Sequence, residues 1–347
     1  MYKMQLPELT YKESSILNNL IKTFVRSATP IGSKFLSAQL HGRMSPATIR
    51  NILMNLERKG LALQPHTSAG RIPTDLGYRY YVNDLMKIER LSHQEKNLID
   101  AHLQQIADEN VDTILDKACE VLSEISNQLG VVLEPRFYKG VLQKLQLFRV
   151  SGSKLMVVMS LSGGIVRSIL MEIKFSIPDN KIDETEKILN ERLSGLTLKT
   201  IRDTIKNRVR NVNYGDRSLL HQVAELADSL FTVDTDSQVH FKGTSKILTQ
   251  PEFSEKEHLA KILQLIDNKD ILVHIVKNSS KKDAKISITI GQEHREELVR
   301  NCSLISAPYK IGDITGTIAV IGPTRMQYEK MAALVDYIAS GINRLFS

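Results

Sequence analysis

Within the stretch SPATIRNILMNLERKGLALQPHTSAGR, residues 45–71, a hydroxyl, an amide and two guanidinium groups recur at short intervals. They belong to Thr48, Asn51, Arg50 and Arg58. Guanidinium forks grip two acceptors at once, and amides both donate and accept. That is the chemistry needed against phosphates and base edges. The same stretch continues into a small polar turn, HTSAG, where His66, Ser68 and Arg71 add a second set of polar and cationic groups. Ser45, Arg58 and, upstream, Lys34 are suited to holding phosphate.

Such groups act together only if a rigid element carries them. Ser45 is a good N-cap, Pro46 suits the first helical position, and Gly60 suits the left-handed stop. Ile49, Ile52, Leu53 and Leu56 fall at helical spacing and make an inward face. Ala47, Thr48, Asn51, Asn55 and Arg58 lie opposite, with Arg50 on the flank. A plain surface helix could share this pattern. The hairpin that follows shifts the balance: residues 61–64 run extended, 65–70 turn and 71–73 return, as in the wing of a winged helix. An ordinary surface hairpin is the alternative.

Upstream, residues 11–27 predict a first helix with Ile16, Leu17, Leu20, Ile21 and Phe24 inward, and residues 33–40 a second. Helix, turn, recognition helix and ribbon follow in the order of a winged helix-turn-helix. Thr74 caps a further helix that closes the unit. Residues 1–90 hold 13 Lys and Arg against 6 Asp and Glu, so the whole formal charge of +7 sits there. The remaining chain is balanced. Nucleic acid attracts such a field through counterion release; an acidic protein or an anionic membrane surface would also do so.

At 347 residues and 42% hydrophobic content the chain has room for two or three domains with real cores. No apolar run approaches the ~20 residues of a membrane span, and the first residues lack a signal peptide's apolar stretch. A cytoplasmic protein is expected. Cys119 and Cys302 do not make a disulfide scaffold and read as small buried apolar groups.

Residues 92–129 carry one long helical pattern that bends near 109–112. Three β-branched runs, 145–150, 155–161 and 165–173, predict an antiparallel meander. Residues 182–231 are helical, 239–242 extended, and ILVHIV reads as a strand or a helix end. Loop SSKKD precedes strands at 285–291, 303–309 and 316–321, and a helix over 327–346 closes the chain. Strands before and after a helical middle predict a multidomain α+β chain with one unit inserted into another. The expected divisions are 1–90, 91–180, 181–250 and 251–347.

Enzyme chemistry is the weaker reading. No histidine stands at a metal-ligand spacing from Cys, Asp or Glu, and neither a GxxxxGK loop nor GxGxxG occurs. No cofactor and no metal are expected. IGPTRM could cradle an anion near a helix start or simply turn a strand into a helix. GQEHREE reads as a solvated loop.

Several segments also carry a family resemblance. SPATIRN with NLERKGL, QPHTSAGRIPTDLGYRYYV, KGTSKILTQPEF, ITIGQEHREEL, CSLISAPY and GTIAVIGPTRMQY together resemble the heat-inducible transcription repressor family HrcA along essentially the whole chain. The resemblance implies a winged-helix domain, a GAF-like domain and a dimerising domain inserted into it. It implies a homodimer on an inverted-repeat operator in double-stranded DNA upstream of chaperone genes, kept active by the GroEL chaperonin. Ile52 and Asn55 stand where the family usually has acidic residues. Lys34 stands where arginine is common, which keeps the charge but loses the bidentate grip.

Leu219, Leu220, Val223, Leu226 and Leu230 form an apolar stripe expected to make the dimer contact; the alternative is that it is the inserted unit's own core. A small-molecule-sensing regulator using the GAF-like domain is the other functional reading.

Overall fold

The computed structural model describes residues 6–107, 109–135, 137–212, 214–231, 239–279 and 284–346. The chain begins with three helices, α1 Tyr11–Ser27, α2 Ser33–Gln39 and α3 Pro46–Arg58. A short hairpin, β1 Ala62–Leu63 and β2 Ile72–Pro73, follows, and then α4 Asp75–Tyr80, which passes into a π-helical turn, Tyr81–Leu85. Ile16, Leu17, Leu20, Leu36, Ile49, Leu53 and Leu56 are buried together, each at the helical spacing its sequence sets.

Helices α5 His93–Gln104 and α6 Val111–Ser126 are separate, with the interruption where the periodicity shifts. Asn127 then takes a left-handed conformation, φ 53°, and β3 Leu129–Leu133 begins. The expected helix over 92–129 therefore ends early. Leu129 opens a strand that the helical pattern had absorbed.

The expected meander is present as β4 Leu142–Ser151, β5 Lys154–Leu161 and β6 Val166–Glu172. It forms a sheet of its own, ordered β4-β5-β6, and among the described residues it pairs with none of the later strands. Helices α7 Asp179–Leu193, α8 Leu198–Val209, α9 Arg217–Glu225 and α10 Ala227–Phe231 follow. Side chains of α7 close the open edge of β4. Asn190 Oδ1 accepts from the Leu145 N–H at 2.8 Å, and Glu186 Oε2 from that of Leu147 at 2.8 Å. Edge groups satisfied this way cannot template further pairing.

The second sheet is built from distant parts of the chain. Its strands are β3, β7 Val239–Lys242, β8 Ser287–Ile290, β9 Cys302–Ile311 and β10 Ile314–Pro323, in the antiparallel order β7-β3-β10-β9-β8. Between β7 and β8 run α11 Thr244–Leu248, α12 Lys256–Asp267 and α13 Lys269–Ser279. The segment ILVHIV lies within α13, and most of the expected loop SSKKD lies outside the described residues. Helix α14 Tyr328–Leu345 closes the chain.

Both faces of this sheet are covered, so its strands alternate between two cores. Leu129, Val131 and Leu133 of β3 join Ala319 and Ile321 of β10 against α12 and α13. Val132, Ile318 and Val320 point the other way, into the core shared with α6 and α14. Strand β3 leaves the sheet at Leu133 and β7 returns opposite it, Leu133 facing Val239. Everything from β4 to α10 lies between those two points. Cys119 and Cys302 are both buried, and burial pushes their thiols up to about 12. Among the described residues no helix is long and apolar enough to cross a membrane.

Candidate nucleic-acid interface

Helix α3 is fixed at both ends. Ser45 Oγ accepts from the Thr48 N–H at 3.1 Å and sits 2.9 Å from Thr48 Oγ1. At the other end Gly60, φ 73°, donates to the Glu57 carbonyl and Leu61 to that of Leu56, both at 2.9 Å. These two bonds form the paired closure that a left-handed residue permits. Lys59 Nζ reaches the Glu13 carboxylate at 2.9 Å, tying the end of α3 to the start of α1. Ser37 Oγ donates to the Met44 carbonyl at 2.8 Å and holds the turn between α2 and α3.

With Ile49, Ile52, Leu53 and Leu56 buried, the opposite face is open. Thr48, Arg50, Asn51, Asn55 and Arg58 are all exposed, as are Lys34 and Ser45. Among the described residues neither Arg50 nor Arg58 has a carboxylate partner, so both guanidinium groups face solvent uncommitted. Ile52 lies inward and takes no part in the outer face. Met54 and Arg43, not singled out from sequence, are exposed beside this face. Helical spacing alone placed Met54 there; Arg43 lies in a turn, where spacing says nothing.

The hairpin is pinned from several sides. Gln64 Nε2 donates across the turn to the carbonyls of Thr67 at 2.8 Å and Ala69 at 2.9 Å. Arg71 exchanges two backbone bonds of 2.9 Å with Ile31, adding the α1–α2 connector to the ribbon. Gly70 must be glycine here, because a Cβ would stand 2.3 Å from the Ile31 carbonyl carbon. His66 and Ser68 are exposed at the tip. Arg71 is placed differently. Its guanidinium meets Glu57 Oε2 of α3 at 3.0 Å, through both Nε and Nη2, and its side chain is 15% exposed. It braces the ribbon against the helix rather than reaching out from the tip.

Two later motifs dock this unit onto the C-terminal body. Arg79 of α4 donates to Glu293 (2.6 Å from Nε) and to the Ile288 carbonyl at 2.8 Å. Asp75 accepts from the Gln292 N–H at 2.9 Å. The expected solvated loop GQEHREE is thus half inside a junction. His294 is buried, and desolvation lowers its imidazole to about 4. IGPTRM makes the turn from β10 to α14. Its Arg325 is taken up by Glu252 and by the Val25 carbonyl, the latter at 2.7 Å, so it does not cradle an anion. Tyr81 donates to Glu329 at 2.5 Å.

The stripe expected at a dimer contact faces inward. Leu219, Leu220, Val223 and Leu230 are each at most 3% exposed, and Leu226 packs against the same core, where α9 and α10 cover α8. An amphipathic pattern marks a buried face without saying what buries it. Exposed apolar side chains do gather on the meander, where Phe148, Val150, Val166 and Leu170 are 49%, 52%, 62% and 53% exposed.

A basic helical unit with an open polar helix face and a braced hairpin is thus joined to a mixed α+β body. The match to known sequences is specific. Residues 112–332 match the model of the HrcA protein C-terminal domain. The heat-inducible transcription repressor HrcA of Chlorobium limicola is 36% identical, covering 99% of each chain. That of Chlorobaculum parvum is 37% identical, covering 98% of each. A crystal structure of a hypothetical protein at 2.2 Å resolution superposes with a TM-score of 0.65 at 19% identity, covering 98% of this chain and 99% of that one, and shows the same fold. The chain belongs to the HrcA family of heat-inducible transcription repressors.

Proposed function

We propose that the chain is a homodimeric heat-shock repressor that binds an inverted-repeat operator in double-stranded DNA. Residues 6–90 are read as a winged helix-turn-helix with α3 as recognition helix and the hairpin as wing. Thr48, Arg50 and Asn51 approach base edges; Lys34, Ser45 and Arg58 hold phosphate; His66 and Ser68 meet the backbone or minor groove. Arg71 sets the wing's angle through Glu57. The carrying observation is the solvent-facing row Thr48, Arg50, Asn51 and Arg58, with neither cation paired to a carboxylate among the described residues.

The five-stranded sheet with its helices is read as the GAF-like body, and the length between β3 and β7 as the inserted dimerising unit. Its dimer face is the outer side of β4-β5-β6, where Phe148, Met156 and Leu170 stand in one cross-strand row. A two-fold dimer would set its recognition helices about 34–36 Å apart, or a multiple of that. GroEL is the proposed folding partner and sensor, since operator binding then depends on how much chaperonin is free.

A sensor reading would require a lined pocket inside the body. A cleft of about 610 Å³ lies at the junction, between α1, the π-helical turn and residues 326–329. The test is a gel shift on an inverted-repeat promoter fragment with and without chaperonin. Binding strengthened by chaperonin supports the reading, and no retardation under either condition overturns it.

A further inference from the structure

We propose that Asp112, Glu134 and His240 bind a divalent transition-metal ion of the zinc class at the neck of the inserted unit. The three come from separate elements: the first turn of α6, the residue after β3, and β7. One ligand atom from each lies within 4.8 Å of the other two. His240 Nε2 and Glu134 Oε1 are 3.3 Å apart. Bonds of about 2.0 Å to a tetrahedral ion separate two ligand atoms by about 3.3 Å, so this pair already stands at coordination spacing. Asp112 is on the exposed start of its helix, where its side chain has other rotamers open to it and its oxygen lies within 4.8 Å of the other two ligand atoms.

The surroundings fit a metal better than they fit a bare ion pair. The Glu134 side chain is 3% exposed, and its described hydrogen bond is the one to His240. A carboxylate withdrawn this far from water calls for a cation beside it. The other imidazole nitrogen, Nδ1, faces Asp116 Oδ1 at 3.6 Å. At that distance Asp116 acts through charge and lies within a small side-chain movement of hydrogen-bonding Nδ1, the supporting place that would leave Nε2 to ligate. Asp116 is itself held by Lys242 Nζ at 2.8 Å, which makes it an orienting group rather than a ligand. Two carboxylates and a neutral imidazole balance a divalent cation, and the nitrogen donor selects zinc-like ions over Mg²⁺ or Ca²⁺. Three protein ligands leave one position for water.

The place gives the site a role. Glu134 stands where the chain departs for the inserted unit, and His240 where it returns. An ion there would fasten exit, return and α6 to one point and set the angle at which the unit projects.

The test uses the full chain stripped of metal by a chelator. Co²⁺ is titrated while its visible d–d absorption is followed, and Zn²⁺ by calorimetry. The expected result is one equivalent bound, with tetrahedral Co²⁺ bands. Asp116→Asn should weaken binding by about 10- to 100-fold, and His240→Ala and Asp112→Asn should abolish the bands. Asp112→Asn, on the helix surface, remains decisive even where His240→Ala fails to fold. Absence of a bound equivalent in the wild-type chain overturns the proposal, as does unchanged binding in Asp112→Asn.

Discussion

Arg50 and Arg71 carry the same charge in different circumstances. Arg50 faces solvent with no carboxylate partner among the described residues, whereas Arg71 is committed to Glu57. Arg50→Ala should cost ~1–3 kcal/mol of operator affinity, uniform across sequences if it meets phosphate and site-specific if it reads a base. Gel shifts on operator and scrambled fragments at two salt concentrations separate the cases. Arg71→Ala should act through the wing's angle, so Arg71→Ala and Glu57→Ala should lower affinity together by less than the sum of their separate effects. Unchanged binding in the Arg50→Ala, Arg71→Ala double variant would remove both from the interface. Gly70→Ala should destabilise the unit by ~1–3 kcal/mol, read by urea unfolding, because the Ile31 backbone occupies the space of the new methyl group. The outward face of α3 was legible because a capped helix fixes which side its residues take. The bond from Arg71 to Glu57 was not, since it exists only once the ribbon folds back across α3.

At the level of elements, the caps were the dependable signals. Ser45 and Thr74, the two caps that the sequence marks, each accept from the backbone N–H three residues on, and so does Ser92, which the sequence marks only as the start of a long helical pattern; Ser45→Ala should cost about 1 kcal/mol of stability. Ser92 and Glu95 form a reciprocal cap. Glu95 is held at about 2, first by the hydrogen bond from Lys330 and then by those from Ser92. A carboxyl depressed on folding contributes stability above its unfolded value near 4.5, and that contribution is lost as pH falls toward 2. Urea midpoints measured between pH 6 and pH 3 should therefore fall less steeply in Glu95→Gln than in the wild type. Equal slopes would mean that the cap and the tie to α14 contribute nothing in acid. Strand β3 was illegible for a physical reason. Five apolar residues after a helix with an apolar stripe continue either period, and only the pairing with β10 and β7 decides between them. ILVHIV, which reads as either a strand or a helix end, is helical: its β-branched residues suit a strand, and the packing of α13 against the sheet decides for the helix.

For the whole molecule the governing fact is that Leu129 pairs with Ile321. The central sheet cannot form until nearly the entire chain is available, and such non-local pairing is slow and leaves apolar edges open meanwhile. Refolding from denaturant should give poor recovery of operator binding alone and much better recovery with chaperonin and ATP. Full unaided recovery at growth temperature, unaffected by chaperonin, would exclude the proposed sensing. The composition of the meander was legible and its allegiance was not, because a sequence shows that a strand exists before it shows which sheet takes it. If the outer face of β4-β5-β6 is the dimer contact, Val166→Lys with Leu170→Lys should halve the mass seen by light scattering while circular dichroism is retained. A variant that remains dimeric would place the contact elsewhere.

The neighbourhood of β3 and β7 has a consequence for how such a chain could arise. Leu133 and Val239 face each other on adjacent antiparallel strands, a gap of about 5 Å. A tight two-residue turn spans that gap in ordinary hairpins. The strand order and register of the host sheet are therefore set by residues outside the interval, and so is the core under α12 and α13, whereas the core under α6 and α14 runs on into the guest. The interval behaves as a cassette, carried on a hairpin tip that could once have been an ordinary turn. It can be lengthened, exchanged or remade for a different partner while the strands that bear it keep their places.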